Sequence, residues 1–121
     1  RILLRDFRLT ERTPPHEVGH ALDFLVERLD PAWHKEWRGR LQQAFDRVEK
    51  PNGSKAVTDY SRTNLREYLA EGFAEWHMRP VELKEKDPGL HRAVEELIHK
   101  AQELAGRGEP RTLGDFLKRL G

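Results

Sequence analysis

The sequence predicts a mainly helical fold, and three observations predict it. Apolar residues recur at helical spacing in four long stretches. Turn signals at Asp30-Pro31, Pro51-Asn52-Gly53, Pro80 and Pro88-Gly89 divide those stretches at helix-length intervals. Only residues 1–9 carry a strand-like alternation, at Ile2, Leu4, Phe7 and Leu9, so the class is α+β at most. A chain of 121 residues has room for one modest core, and 1–121 reads as a single domain.

The elements follow in order. After the short strand, Thr13 reads as a helix N-cap, with Pro14 and Pro15 in a first turn that needs no N–H. Val18, Ala21, Leu22, Leu25, Val26 and Leu29 then recur at helical spacing until Asp30-Pro31 ends the run. Trp33, Trp37, Leu41, Phe45 and Val48 predict a second helix over 32–49, stopped by Pro51-Asn52-Gly53. Residues 56–61 are short and irregular. A third helix is expected over 64–78, closed by Pro80, and a fourth from Pro88-Gly89 to Ala105. Thr112 is expected to cap a last short helix ending at Leu120.

Composition narrows the function classes. Charged residues make up 36% and mean hydropathy is −0.85, yet net charge is only +1 and the two signs alternate along the chain. Nucleic-acid and membrane-surface partners therefore have no charge signature here. No apolar run approaches the ~20 residues of a membrane span, and no signal-peptide pattern opens the chain. Cysteine is absent, so any metal must be held by His, Asp or Glu.

The strongest motif is His16-Glu17-Val18-Gly19-His20. Residues four apart on a helix lie one above the other, so both imidazoles can reach one zinc ion, with Glu17 beside them as a proton acceptor. At 100° per residue, His16, His20, Asp23 and Glu27 share a polar face opposite Val18, Ala21, Leu22, Leu25 and Leu29. The plain alternative is a solvated face that happens to spell the motif.

A third ligand must come from downstream, because Asp23 and Val26 occupy the positions a three-histidine site would need. Glu67, Glu71 and Glu75 stack along one face of the third helix, beside Ala70 and Ala74, whose small side chains permit close approach to the motif helix. Leu65, Leu69, Phe73 and Trp76 form a separate apolar arc. Asn64-Leu65-Arg66-Glu67 also fits a capping box, and Glu71 and Glu75 also fit plain surface. Spacing leaves Glu67 and Glu71 both open as ligand.

The block His16–Asp23, followed by Tyr60-Ser61-Arg62-Thr63-Asn64-Leu65-Arg66-Glu67-Tyr68-Leu69-Ala70-Glu71-Gly72-Phe73, resembles the catalytic domain of the anthrax lethal factor-like zinc metallopeptidases. It is similar, more loosely, to the related Pro-Pro endopeptidases. The resemblance implies a zincin-like domain in which His16, His20 and Glu67 bind zinc and Glu17 is the general base. It further implies that Tyr60 reaches toward the metal and that Glu71 stands behind a ligand histidine. Asp23 is a second candidate for that supporting role, with a surface ion pair as its alternative. The family carries a β-sheet ahead of its motif helix, whereas fifteen residues precede His16 here. The expectation is a minimal domain or a fragment of a longer chain.

The expected activity is zinc-dependent hydrolysis of a peptide or protein substrate, with Glu17 taking a proton from a metal-activated water. The resemblance also suggests a secreted toxin or effector. Two rival functions stay in view: a non-catalytic helical interaction domain derived from a peptidase, and a zinc hydrolase of a non-protein substrate. The remaining histidines, His34, His77, His91 and His99, read as surface or helix-end residues, with His91 and Glu95 at pairing distance. Trp33, Trp37 and Trp76 read as core.

Overall fold

A computed structural model describes residues 14–106. The strand over 1–9, the Thr13 cap and the helix over 112–120 lie outside the described residues. Within them the chain is mainly helical: α1 (Pro15–Leu29), α2 (Pro31–Asp46), a 3₁₀ turn (Tyr60–Arg62), α3 (Leu65–Met78), α4 (Pro80–Lys86) and α5 (Pro88–Gly106), with no strand among the described residues.

Proline starts four of the five helices. The N-cap of α1 is Pro14, one residue later than the Thr13 expected, and its carbonyl accepts from Glu17 N and Val18 N at 3.0 and 3.2 Å. The other three prolines sit at sharp corners. Asp30, Arg79 and Asp87 each precede a proline and share nearly one conformation, at φ −146 ψ 74, φ −143 ψ 66 and φ −146 ψ 80. A following proline disfavours the helical region at the residue before it. One helix therefore ends there and the next begins at once, since proline is well suited to a first turn. Two of the corners cap the next helix as well: Asp30 Oδ1 accepts from Trp33 N at 3.2 Å and Asp87 Oδ1 from Leu90 N at 3.1 Å. Pro80 thus opens α4, a helix that the sequence pattern treats only as the end of α3.

α2 stops at Asp46, three residues short of the expected 49. Glu49 and Asn52 adopt left-handed φ values of 62° and 60°, which cannot continue a helix. The turn folds so tightly that a Cβ on Gly53 would stand 2.0 Å from the Arg47 carbonyl oxygen, so only glycine fits. Lys55 N then donates to Lys86 O at 3.0 Å, tying the loop to the end of α4.

The core joins all five helices. Val18, Leu22, Leu25 and Val26 of α1 meet Trp37 and Leu41 of α2, Tyr68, Leu69 and Phe73 of α3, Leu83 of α4, and Leu90, Val94 and Leu97 of α5. Trp33 and Trp76, expected in the core, are only partly buried against it. Leu29, expected on the apolar face, is 46% exposed at the corner into α2. No helix among the described residues is long and apolar enough to cross a membrane.

α1 packs most extensively on α3, and small residues set their separation. A Cβ on Gly19 would meet Phe73 Cβ at 3.0 Å and the Ala70 backbone at 3.2 Å. Glycine inside a helix costs about 1 kcal/mol relative to alanine, so its presence there signals a close backbone approach. Ala70 is fully buried at this contact, whereas Ala74 is only partly buried.

Candidate metal centre

Pro15 opens α1 immediately before His16, so His16 and His20 both lie in regular helix and their rings leave on one side. The ring centroids are 4.8 Å apart and nearly perpendicular. On the facing helix, the Asn64 side chain accepts from Glu67 N at 3.0 Å, which fixes the start of α3 and puts Glu67 in its first turn. The capping-box geometry and the ligand position are therefore compatible, because it is the Glu67 backbone that the cap engages.

Glu67 Oε1 lies 2.7 Å from His20 Nε2 and 3.3 Å from His16 Nε2. One donor atom from each of His16, His20 and Glu67 falls within 4.8 Å of the others, a group able to hold a metal ion. Donors bound tetrahedrally to zinc at 2.0–2.1 Å stand about 3.3 Å apart, so the His16–Glu67 spacing already suits such an ion. His16 Nε2 is buried with no hydrogen-bond partner. Leaving a buried polar atom unpaired costs about 1–3 kcal/mol, which a cation at the point of convergence would offset. The donor set and the orphaned nitrogen both fit a metal ion such as zinc, with His20 and Glu67 parting from their direct 2.7 Å contact to take it.

Two further predicted residues join this cluster. The Tyr60 hydroxyl donates to Glu67 Oε2, and its ring stands 6.0 Å from that of His16. That hydrogen bond holds the Glu67 carboxyl below the usual carboxylate range against the opposing effect of burial, with His20 adding to the lowering. The same bond and the Glu67 charge push the Tyr60 phenol up. Glu71 Oε2 is 3.7 Å from His16 Nε2, while its Oε1 accepts from Thr58 Oγ1 at 2.9 Å.

The others stand apart from the convergence. Glu17 Oε1 is 3.4 Å from His16 Nδ1, on the ring edge away from Nε2, and its side chain is largely exposed. A carboxylate on that edge favours the Nδ1–H tautomer and leaves the Nε2 lone pair free for a metal. Asp23, a candidate support for one of the motif histidines, has its Oδ1 paired with His34 Nε2 at 2.6 Å. Three residues of helix rise carry it about 4.5 Å past His20, level with the first turn of α2. Glu75, two turns further along α3 than Glu67, is engaged in a two-pronged pair with Arg79 at 2.7 and 2.9 Å.

His34 is the main correction among the other histidines. It is 3% exposed, packed 5.2 Å from the Trp37 ring, with Glu27 3.8 Å from its Nδ1. The signal was present, because His34 extends the helical series of Trp37, Leu41 and Ala44 that α2 buries. Thr58 carried no such signal, since irregular loop has no periodicity to read. His77 and His99 are exposed, and His91 pairs with Glu95 at 3.6 Å as its spacing suggests. Compared with known proteins, the chain matches no family model, no curated protein and no solved structure.

Proposed function

We propose that this protein is a zinc-dependent endopeptidase of the lethal factor-like kind, with His16, His20 and Glu67 as its metal ligands. The observation that carries the proposal is the convergence of two ring nitrogens and one carboxylate oxygen, one of those nitrogens buried and unpaired. Two imidazoles and a carboxylate are a donor set of catalytic zinc sites, which keep a further position open. When bound, zinc supplies Lewis-acid activation of a water molecule and of the scissile carbonyl.

The chain's own residues do the rest. Glu17 takes a proton from the attacking water as it adds to the carbonyl carbon, then returns it to the leaving nitrogen as the C–N bond breaks. Its exposed side chain is free to swing from His16 Nδ1 to the reacting atoms. Tyr60 donates its hydroxyl proton in a hydrogen bond to the developing oxyanion, exchanging Glu67 Oε2 for a substrate oxygen. Half exposure at 50% leaves that hydroxyl accessible to a peptide.

Elemental analysis of the purified protein combined with a mixed peptide-library digest tests this. One zinc per chain and cleavage that stops with chelator and returns with zinc are expected. A protein that binds no zinc would be the non-catalytic interaction domain instead, and one that binds zinc but cuts no peptide would point to another substrate class.

A further inference from the structure

Resting on the proposed peptidase function, we infer that Thr58 is a positioning residue that holds the Tyr60 turn against the metal centre through Glu71. Tyr60 opens a single 3₁₀ turn, closed by Arg62 N donating to Asp59 O and Thr63 N to Tyr60 O, and these local bonds do not fix the turn against α3. One hydroxyl, used in both directions, links the turn to α3. Thr58 Oγ1 donates to Glu71 Oε1 at 2.9 Å and accepts from Ser61 N at 3.0 Å. The Thr58 carbonyl in turn accepts from Ser61 Oγ at 2.6 Å, and Ser61 is fully buried. Val57, one residue earlier, packs against the core. The 3₁₀ turn that begins at Tyr60 is thereby pinned through Ser61, and Tyr60 itself is tied to α3 by donating to Glu67.

Glu71 gains a second task from this. One of its oxygens faces His16 Nε2 at 3.7 Å while the other anchors the turn. The carboxylate therefore ties the turn that carries the oxyanion donor to α3 at a point beside the ligand cluster. A hydroxyl has one proton to give and lone pairs to accept with, so threonine or serine can fill the role at position 58. Valine matches threonine in shape but can do neither.

The test uses Thr58→Val and Thr58→Ser in the full chain, with two readouts. Amide hydrogen exchange on the metal-free protein reads the turn directly. Thr58→Val should speed exchange at Ser61 by about 10-fold or more, as expected for loss of one protecting hydrogen bond, and Thr58→Ser should restore most of the protection. Kinetics with the library peptide cut fastest reads the consequence. Thr58→Val should lower kcat by about 10–100-fold with zinc content kept, and should add little to Tyr60→Phe in the double variant. Unchanged Ser61 exchange, or losses from Thr58→Val and Tyr60→Phe that simply multiply, would overturn the inference while leaving the peptidase proposal standing. If the wild type cuts no peptide with zinc present, the peptidase proposal fails instead, and Ser61 exchange alone decides whether Thr58 holds the turn.

Discussion

Each of the two tyrosines in this chain donates to a carboxylate, and the two pairs serve different ends. Tyr68 donates to Asp87 Oδ2 at 2.5 Å inside the core, where both residues are about 1% exposed. Tyr60 donates to Glu67 at the edge of the α1–α3 interface, within reach of two histidines. Burial dominates the first pair: it raises Asp87 above the usual carboxylate range despite the phenol and the Leu90 N–H, and it drives the Tyr68 phenol far up. Hydrogen bonding dominates the second, so Glu67 is lowered. One bond type thus joins α3 to the α4–α5 corner in a dry site, and favours an ionised carboxylate beside two histidines in a more accessible one.

The largest expected difference comes from neutralising each carboxylate. Glu67→Gln removes the proposed ligand and its charge, so zinc should be lost or held far more weakly, as chelator competition would measure. Asp87→Asn should leave zinc affinity unchanged. Tight zinc in Glu67→Gln with loss in Glu71→Gln would place the ligand one helical turn later. Glu17→Gln touches neither pair and sharpens the contrast. It should keep zinc yet lower hydrolysis by about 10²–10⁴, and an unchanged rate would refute the base assignment.

Removing each phenol comes next. Tyr60→Phe should lower kcat by about 10²–10³ with the melting temperature little changed, as for loss of an oxyanion donor. Tyr68→Phe should do the reverse: a stability loss of about 1–3 kcal/mol from the buried Asp87 left short of a donor, with kcat preserved. Equal effects of the two on stability would erase the distinction drawn between the pairs.

A smaller effect is expected with pH. Asp87 is raised in the folded state above its ordinary 3.8, so the folded protein takes up a proton before the unfolded chain does. Its contribution to stability is therefore greatest below 3.8 and is lost as pH rises through the raised value. Glu67, lowered from 4.5, has the opposite sign: its contribution is present above 4.5 and is lost as pH falls through the lowered value. In urea titrations of metal-free protein, the advantage of wild type over Asp87→Asn should grow as pH falls from neutral toward 4. The smallest effect belongs to Glu75→Gln, whose carboxylate pairs with Arg79 at the end of α3. Zinc affinity and kcat should be unmoved.

Much of this architecture is local and could be read directly. The corners before Pro31 and Pro88 are visible because a proline restricts the residue ahead of it and suits the turn behind it. The same rule applied fully would have found α4, since Pro80 can start a helix as readily as it ends one. The Asn64 cap and the paired directions of His16 and His20 also follow from a few residues of contiguous sequence. Tyr68 and His34 sit at positions consistent with the buried arcs of α3 and α2, and their burial is legible once polar residues are allowed to occupy such arcs.

What local pattern could not supply is how one helix sits against another. Periodicity states that Glu67, Glu71 and Glu75 share a face, but not which turn of α3 stands opposite His16 and His20. That height is set where Gly19 lets α1 press onto Ala70 and Phe73, a contact between residues about fifty positions apart. It puts Glu67 between the two rings, leaves Glu71 to face His16 and Thr58, and turns Glu75 toward Arg79. The same relative placement takes Asp23 to His34 on α2. By itself the sequence determined the helices and the direction of each side chain along them, because those depend on neighbours a turn away. Only the tertiary structure decided which side chains meet, because that depends on steric contact between surfaces that no single helix contains.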